Sequence, residues 1–212
     1  MTFDYFLSQL QKIKHFKLGG FISHAKVEPS ARADFMRTAD LKILTPKNAA
    51  VMLLVYPKNN LAHIVLILRT SYNGVHSSQV AFPGGKSEDF DKNFWQTAVR
   101  ESEEEVGIAA SKINFIKDFT ALYVPPSNFM VYPYLGFCME TPVFVPDPKE
   151  VAGIIELPLV DFLNDDIHVK KIINASYMND IEVDGFQIED YFVWGATAMI
   201  MQELKDLLKN VL

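Results

Sequence analysis

Acidic side chains accumulate in one short segment of this chain, the run Arg100-Glu101-Ser102-Glu103-Glu104-Glu105-Val106-Gly107. On an α-helix, which turns about 100° per residue, Glu101 and Glu105 lie within about 40° of each other, and Glu104 lies about 60° to the other side of Glu101. Glu103 points about 160° away, so we expect it to face solvent. Converging carboxylates suit Mg²⁺ or Mn²⁺. The run therefore indicates a metal site or, as charge runs often do, a solvated acidic helix face.

Two neighbouring features favour the metal site. A largely apolar stripe recurs at helical spacing and consists of Phe94, Trp95, Ala98, Val99, Ser102 and Val106. Glu101 and Glu105 lie beside this stripe, and like charges that are partly buried need a cation. Upstream, the turn Phe82-Pro83-Gly84-Gly85 can bring bare backbone close to the same ion or to a phosphate.

This segment resembles the signature of the Nudix hydrolases, G-x5-E-x7-R-E-U-x-E-E-x-G-U, where U is aliphatic. The chain matches it over residues 100–108, with Ser102 in place of one aliphatic residue. Gly85 lies fifteen residues before the arginine, where the signature has fourteen. Strict spacing puts Lys92 at the position of the first Glu, and Asp91 is the expected substitute. The coenzyme A pyrophosphatases carry the same one-residue insertion. The insertion therefore makes this segment resemble that subfamily in particular.

A second motif of that subfamily, L-L-T-x-R-S-x-x-L-x-x-H-x-G-Q-V-x-F-P-G-G, resembles the segment that ends at Gly85. The residues in register are Arg69, His76, Gln79 and Val80, and those that differ are Ile67, Thr70, Asn73 and Ser78. The motif therefore indicates the reaction, hydrolysis of a diphosphate bridge, more strongly than the identity of the substrate. Similar stretches at 46–51 and 194–198 extend the resemblance from about residue 46 to the C-terminus. We therefore expect residues 1–45 to form a helix followed by a linker or arm, and residues 46–212 to form a Nudix hydrolase domain.

The resemblance implies metal-assisted hydrolysis of a diphosphate bridge, with Mg²⁺ or Mn²⁺ as the cofactor. Glu101 and Glu105 are the expected metal ligands. Glu104 acts as a ligand or supports one, and the Gly85 carbonyl is a further candidate ligand. Arg100 is expected to orient a loop carboxylate such as that of Asp91, the alternative being a plain helix-surface salt bridge.

Other expected site residues come from the loops. Glu150 follows a proline-rich segment, Pro142 to Lys149, and is the candidate general base or an additional metal-linked carboxylate. Glu156 and Glu140 are weaker candidates. The expected substrate contacts are Arg69, His76, Gln79 and Gly84, since Arg suits bidentate phosphate binding while His and Gln can hold the nucleotide or the bridge.

Composition is consistent with an enzyme of one main domain. The chain has 212 residues, 49% of them hydrophobic, and a net charge of −6. The acidic balance argues against generic nucleic-acid binding. Because neither a signal peptide nor an apolar run of about 18 residues is visible, we expect a cytoplasmic protein without a membrane partner. Cys138 is the single cysteine and is expected in the core.

The pattern of elements predicts an α/β fold in which a mixed β-sheet is sandwiched between helices (α/β/α). Helices are expected over residues 3–13, 93–106, 159–163 and from Trp194 onward. Strands are expected over 49–56, 62–69, 113–123, 129–139, 151–157, 167–173, 181–188 and 190–193. Residues 21–47 have no clear pattern and are expected to be a linker or an arm that packs on the core or on a second subunit, as in a homodimer.

The function predicted from these features is cleavage of coenzyme A or a derivative to 3′,5′-ADP and 4′-phosphopantetheine. One alternative is a Nudix hydrolase of another nucleoside diphosphate compound, such as ADP-ribose or a dinucleotide. The other is a Nudix module that senses nucleotides without catalysis, although such a module would have no need to retain Glu101, Glu104 and Glu105.

Overall fold

A computed structural model describes residues 1–39, 45–70, 79–175 and 178–212. Its helices are α1 (Phe3–Ser8), α2 (Leu10–His15), α3 (Phe21–His24), α4 (Ser30–Thr38), α5 (Phe94–Val106), α6 (Leu159–Leu163) and α7 (Gly195–Val211). Its strands are β1 (Lys47–Lys58), β2 (Leu61–Arg69), β3 (Val80–Ala81), β4 (Gly84–Lys86), β5 (Asn114–Asp118), β6 (Leu122–Val124), β7 (Phe129–Phe137), β8 (Val151–Pro158), β9 (His168–Ala175), β10 (Met178–Ile188) and β11 (Tyr191–Trp194).

The main sheet is mixed and follows the order β3-β2-β1-β7-β5. Strands β1 and β7 run parallel, whereas β1 pairs antiparallel with β2 and with the short strand β4. Strand β8 adds to β2, and β6 adds to β7. A separate antiparallel sheet has the order β11-β10-β9. The pairing of β4 with β1 fixes the Gly84-Gly85 turn at the centre of the main sheet.

Both faces of the main sheet are covered by helices. Since successive side chains of a strand point to opposite faces, Leu53 and Val55 join one core cluster and Met52 and Leu54 join the other. The first cluster includes side chains of α1, α2, α6 and α7, and the second includes those of α5. The predicted α/β/α sandwich is confirmed.

The N-terminal segment packs on the first of these cores. Phe6 and Ile13 are fully buried there, so the helix predicted over residues 3–13 is present, although it is split at Gln9. The segment continues as α3 and α4, and α3 lies against α7. The Gly20 N–H donates to a Glu203 carboxylate oxygen at 2.8 Å. Residues 40–44 of the predicted linker or arm lie outside the described residues.

Two expectations are corrected in detail. The strand predicted over 113–123 is divided into β5 and β6, because Thr120 between them donates its N–H and its hydroxyl to Glu203. Cys138 is buried as predicted, but it follows the end of β7 rather than lying within a strand. Helix α7, predicted from Trp194 onward, begins at Gly195, and its Leu204 and Leu208 are in the core. No helix in the described part of the chain is long and apolar enough to cross a membrane.

Candidate active site

Helix α5 carries the acidic run and begins and ends at sequence-encoded caps. The Asn93 side chain accepts a hydrogen bond from the Gln96 N–H at 2.9 Å, and Gly107 ends the helix in the left-handed conformation. Its apolar stripe packs on the sheet, where Ala98 and Val106 are fully buried. As predicted, Glu103 is exposed. The helix therefore presents its other carboxylates toward the Gly-Gly turn.

Glu105 is the most buried carboxylate of this helix, with 2% of its surface exposed. It accepts a hydrogen bond from the Gly84 N–H at 2.7 Å, and the Arg69 guanidinium lies 3.3 Å from its other oxygen. Burial raises the pKa of Glu105 to about 7, against the opposing effects of Gly84 and Arg69, and the negative charges of Glu101 and Glu150 raise it further. Such a site disfavours an isolated negative charge and suits a cation.

Gly84 and Gly85 are required by close approaches. A Cβ at Gly84 would lie 2.3 Å from the Ala50 carbonyl oxygen of β1, and one at Gly85 would lie 2.4 Å from a Glu101 carboxylate oxygen. Because Gly85 has no side chain, the Glu101 carboxylate can lie directly against the backbone of the turn. Burial raises the pKa of Glu101, although the Arg100 guanidinium opposes that shift.

Arg100 makes more contacts than its helical position predicted. It binds Asp91 through two hydrogen bonds of 3.1 and 3.0 Å, which is the expected contact with the loop carboxylate. It also donates to Glu101 and to Glu104, at 2.8 Å each, and to the Lys86 carbonyl at 3.0 Å. One guanidinium therefore joins the loop before α5, strand β4 and two carboxylates of the acidic run.

The three carboxylates predicted to converge do not form a ready ligand set here. Glu105 is held by Gly84 and Arg69, and Glu101 by Arg100. Glu104 is exposed and paired with Arg100. Within residues 1–39, 45–70, 79–175 and 178–212, no three His, Cys, Asp or Glu side chains are grouped as a metal site. Each of these carboxylates is instead paired with a cationic side chain, and Glu105 also accepts from a backbone N–H.

Glu150 faces the same cleft, whereas the two weaker candidates do not. Its carbonyl accepts from the Thr70 N–H at 2.9 Å, which ties it to the end of β2, and its charge contributes to the raised pKa of Glu101 and of Glu105. Glu156 instead binds the Tyr56 hydroxyl and Lys58, each at 2.9 Å. Glu140 is exposed and lies 3.5 Å from Lys112.

A cleft of about 600 Å³ brings the expected residues together. Among its lining residues are Arg69, Gln79, Gly84, Gly85, Arg100, Glu101, Glu104 and Glu150. His76 lies outside the described residues. The Nε atom of Arg69 is buried and has no acceptor in the described part of the chain. The contacts of Arg69 and Gly84 with Glu105 were missed from the sequence, because these residues are distant in the chain and are brought together by the sheet, in which β1 pairs with both β2 and β4.

Asp91 gives the site a measurable link to acid stability. Hydrogen bonds from Arg100 hold the pKa of Asp91 at about 2, below its ordinary value of 3.8. A lowered folded-state pKa means that this stabilisation is present above the unfolded-state pKa and is lost as the pH falls toward the folded-state value. Asp91→Asn should lower the free energy of unfolding at pH 7 by about 1–3 kcal/mol.

The same substitution should flatten the acid dependence of stability between about pH 4 and 2. Urea unfolding of both proteins across this range measures the effect. An Asn variant that keeps the full acid slope would contradict the assignment of the lowered pKa to Asp91.

Comparison with known proteins agrees with this fold. The family model of the NUDIX domain matches residues 46–174, more than half of the chain. A relative from Yersinia enterocolitica serotype O:8 / biotype 1B, named uncharacterized Nudix hydrolase NudL, is 34% identical over 148 residues, which cover 66% of this chain and 71% of that protein.

Two solved structures share the fold at low sequence identity. The Nudix hydrolase RenU from M. smegmatis aligns with a TM-score of 0.54 and 16% identity, covering 79% of this chain and 88% of that one. A MutT/nudix family protein from Enterococcus faecalis aligns with a TM-score of 0.53 and 15% identity, covering 88% of this chain and 72% of that one. At such identities the likeness concerns the fold alone.

The chain therefore belongs to the Nudix family. Its enzyme class is that of the Nudix hydrolases, pyrophosphohydrolases that act on nucleoside diphosphate derivatives.

Proposed function

We propose that this protein hydrolyses the diphosphate bridge of coenzyme A or a derivative, giving 3′,5′-ADP and 4′-phosphopantetheine. The observation that carries the proposal is the position of the second motif in space. Two of its matching residues, Arg69 and Gln79, line the cleft that is also lined by Glu101, Glu104 and Glu150. The residues that resemble the coenzyme A subfamily and those that resemble the general Nudix signature thus belong to one site.

The donor set of the cleft fits a divalent cation, and Mg²⁺ or Mn²⁺ is the proposed cofactor. Glu101 and Glu105 would hold it, with Glu104, Glu150 and the Gly85 carbonyl as further oxygen donors. All are hard ligands, and burial raises the pKa of Glu101 and Glu105, so their ionised forms would gain from a nearby cation. When bound, such an ion neutralises charge on the diphosphate and helps to form a hydroxide nucleophile.

The side chains of the cleft have separable roles in this proposal. Arg69 lines the cleft, where its guanidinium can bind a phosphate oxygen while one terminal nitrogen stays on Glu105. The Gly84 N–H fixes the Glu105 carboxylate against the Gly-Gly turn, and Arg100 fixes that of Glu101. Glu150 either accepts the proton of the attacking water or supports the ion.

Product analysis tests the proposal directly. We expect a mass spectrum of coenzyme A incubated with the protein and Mg²⁺ to show both halves of the cleaved bridge, with oxygen from ¹⁸O-labelled water on one of the two phosphates. Glu101→Gln run in parallel controls for contaminating activity. Cleavage of ADP-ribose or a dinucleotide with coenzyme A untouched would move the substrate to another nucleoside diphosphate compound. Nucleotide binding without any cleavage would favour a sensor.

A further inference from the structure

A second cavity, which we call the side pocket, opens next to the cleft and encloses about 350 Å³. Gln79, Val124, Ala196 and Thr197 line both the side pocket and the cleft. A ligand whose diphosphate lies against the acidic helix can therefore extend one of its two ends into the side pocket. The volume is within the range of about 300–1,000 Å³ that is typical of small-molecule sites.

The N-terminal segment builds one wall of the side pocket. Ala31 and Phe35 of α4 line it together with Pro125, Pro126 and Trp194. Helix α4 is held in place by Arg32, whose Nε and terminal nitrogen donate to the Tyr123 carbonyl at 3.1 and 3.0 Å. Phe35 also packs against the Tyr123 ring, with centroids 6.1 Å apart. Helix α4 lies outside residues 46–174, the part of the chain that matches the NUDIX domain model.

The chemistry of the walls selects an uncharged occupant. Most of the side chains that line the pocket are apolar. Among the described lining residues, Arg32 is the one with a basic side chain. Its guanidinium is paired with Glu28 and occupied by the Tyr123 carbonyl, so it has little capacity left for a phosphate. Of the two halves of coenzyme A, the adenosine half carries a 3′-phosphate and the pantetheine half carries no charge.

We propose that the side pocket binds the pantetheine arm of the substrate and that α4 thereby determines which diphosphates are accepted. This inference rests on the proposed function for the identity of the substrate. The acidic helix holds the diphosphate, the apolar walls enclose the arm, and the charged nucleotide end stays in the more open cleft. Removing or filling the side pocket then affects recognition of the arm rather than the chemistry at the bridge.

Ala31→Trp tests this by filling the side pocket. We expect KM for coenzyme A to rise at least about tenfold, since even one methylene in an apolar pocket can change discrimination by that factor. Free pantetheine, titrated alone and followed by ligand-observed NMR, should bind the wild-type protein and fail to bind this variant. Ser30→Trp is the matched control, because Ser30 lies on the same helix but is exposed and does not line the pocket.

A second variant distinguishes a changed pocket from a misfolded α4. Phe35→Ala removes part of the wall without overfilling it, and Phe35 is already 37% exposed. Its KM for coenzyme A should rise about 3- to 10-fold. Thermal unfolding of each variant shows whether the fold is retained.

Pantetheine binding separates this inference from the proposed function, because it requires no turnover and should persist in Glu101→Gln. If coenzyme A is not cleaved but pantetheine binds the wild-type protein and not Ala31→Trp, the proposed function fails and the pocket assignment stands. No pantetheine binding at millimolar concentration, or equal binding by Ala31→Trp, would overturn the inference. Adenosine bound in its place and expelled by Ala31→Trp would overturn it as well.

Discussion

Replacing Glu105 by Gln is expected to lower turnover at least about 100-fold while the protein stays folded. Gln has nearly the same shape, so its carbonyl oxygen can still accept the Gly84 N–H, while the charge and the ion pair with Arg69 are removed. Glu101→Gln should behave similarly, because its amide oxygen can still accept from Arg100. Steady-state kinetics over a Mg²⁺ titration, with circular dichroism as a check of folding, measures the effect.

Glu103→Gln is the control for this experiment, since Glu103 lies on the same helix and is exposed. Its turnover should be close to that of the wild-type protein. Without metal, the Glu105 variant should be more stable by a few tenths of a kcal/mol per relieved pair of like charges. Turnover near wild-type in Glu105→Gln at saturating Mg²⁺ would show that the acidic helix does not hold the metal.

Glu150→Gln is expected to lower turnover by about 10²- to 10⁴-fold, and the pattern of rescue identifies its role. If Glu150 is the general base, metal affinity should change little, and rising pH should partly restore the rate as hydroxide replaces the base. If Glu150 supports the ion, Mg²⁺ should bind more weakly and excess Mg²⁺ should restore much of the rate. We favour the metal-linked role, because the charge of Glu150 already acts on Glu101 and Glu105.

Glu140→Gln is the matched control for Glu150, because Glu140 is an exposed glutamate whose ion pair with Lys112 lies outside the cleft. It should retain wild-type kinetics. Unchanged turnover together with unchanged metal dependence in Glu150→Gln would exclude both roles.

The sequence was most informative where a local pattern decides the structure. The spacing of apolar residues places α5 within a residue of its predicted start, and helical phase puts Glu103 in solvent and Glu105 beside the core. Strands β1 and β2 likewise lie where strands are predicted, and their near-continuous apolar runs are buried on both faces of the sheet. In these elements each residue's environment follows from its neighbours in the chain.

Contacts between distant polar groups could not be predicted in this way. Arg100 and Glu101 project from the helix in different directions. The long side chain of Arg100 nevertheless reaches Glu101, Glu104 and the loop before the helix. Helix α3 has little apolar periodicity. Its position is fixed by hydrogen bonds rather than by an apolar stripe. Ser23 in this helix binds Asp206 of α7 at 2.6 Å. Such a partner cannot be identified from the sequence around Ser23.

These polar contacts also determine when during synthesis the protein can be completed. Gly20 and Ser23 each bind a residue of α7 that lies 183 positions later in the chain. Glu203 also joins Gly20 to Thr120. Since a chain is synthesised from its N-terminal to its C-terminal side, these hydrogen bonds of Gly20 and Ser23 can form only after α7 has been made. Because α4 and the start of α7 are both walls of the side pocket, that pocket is likewise completed only once α7 has been synthesised.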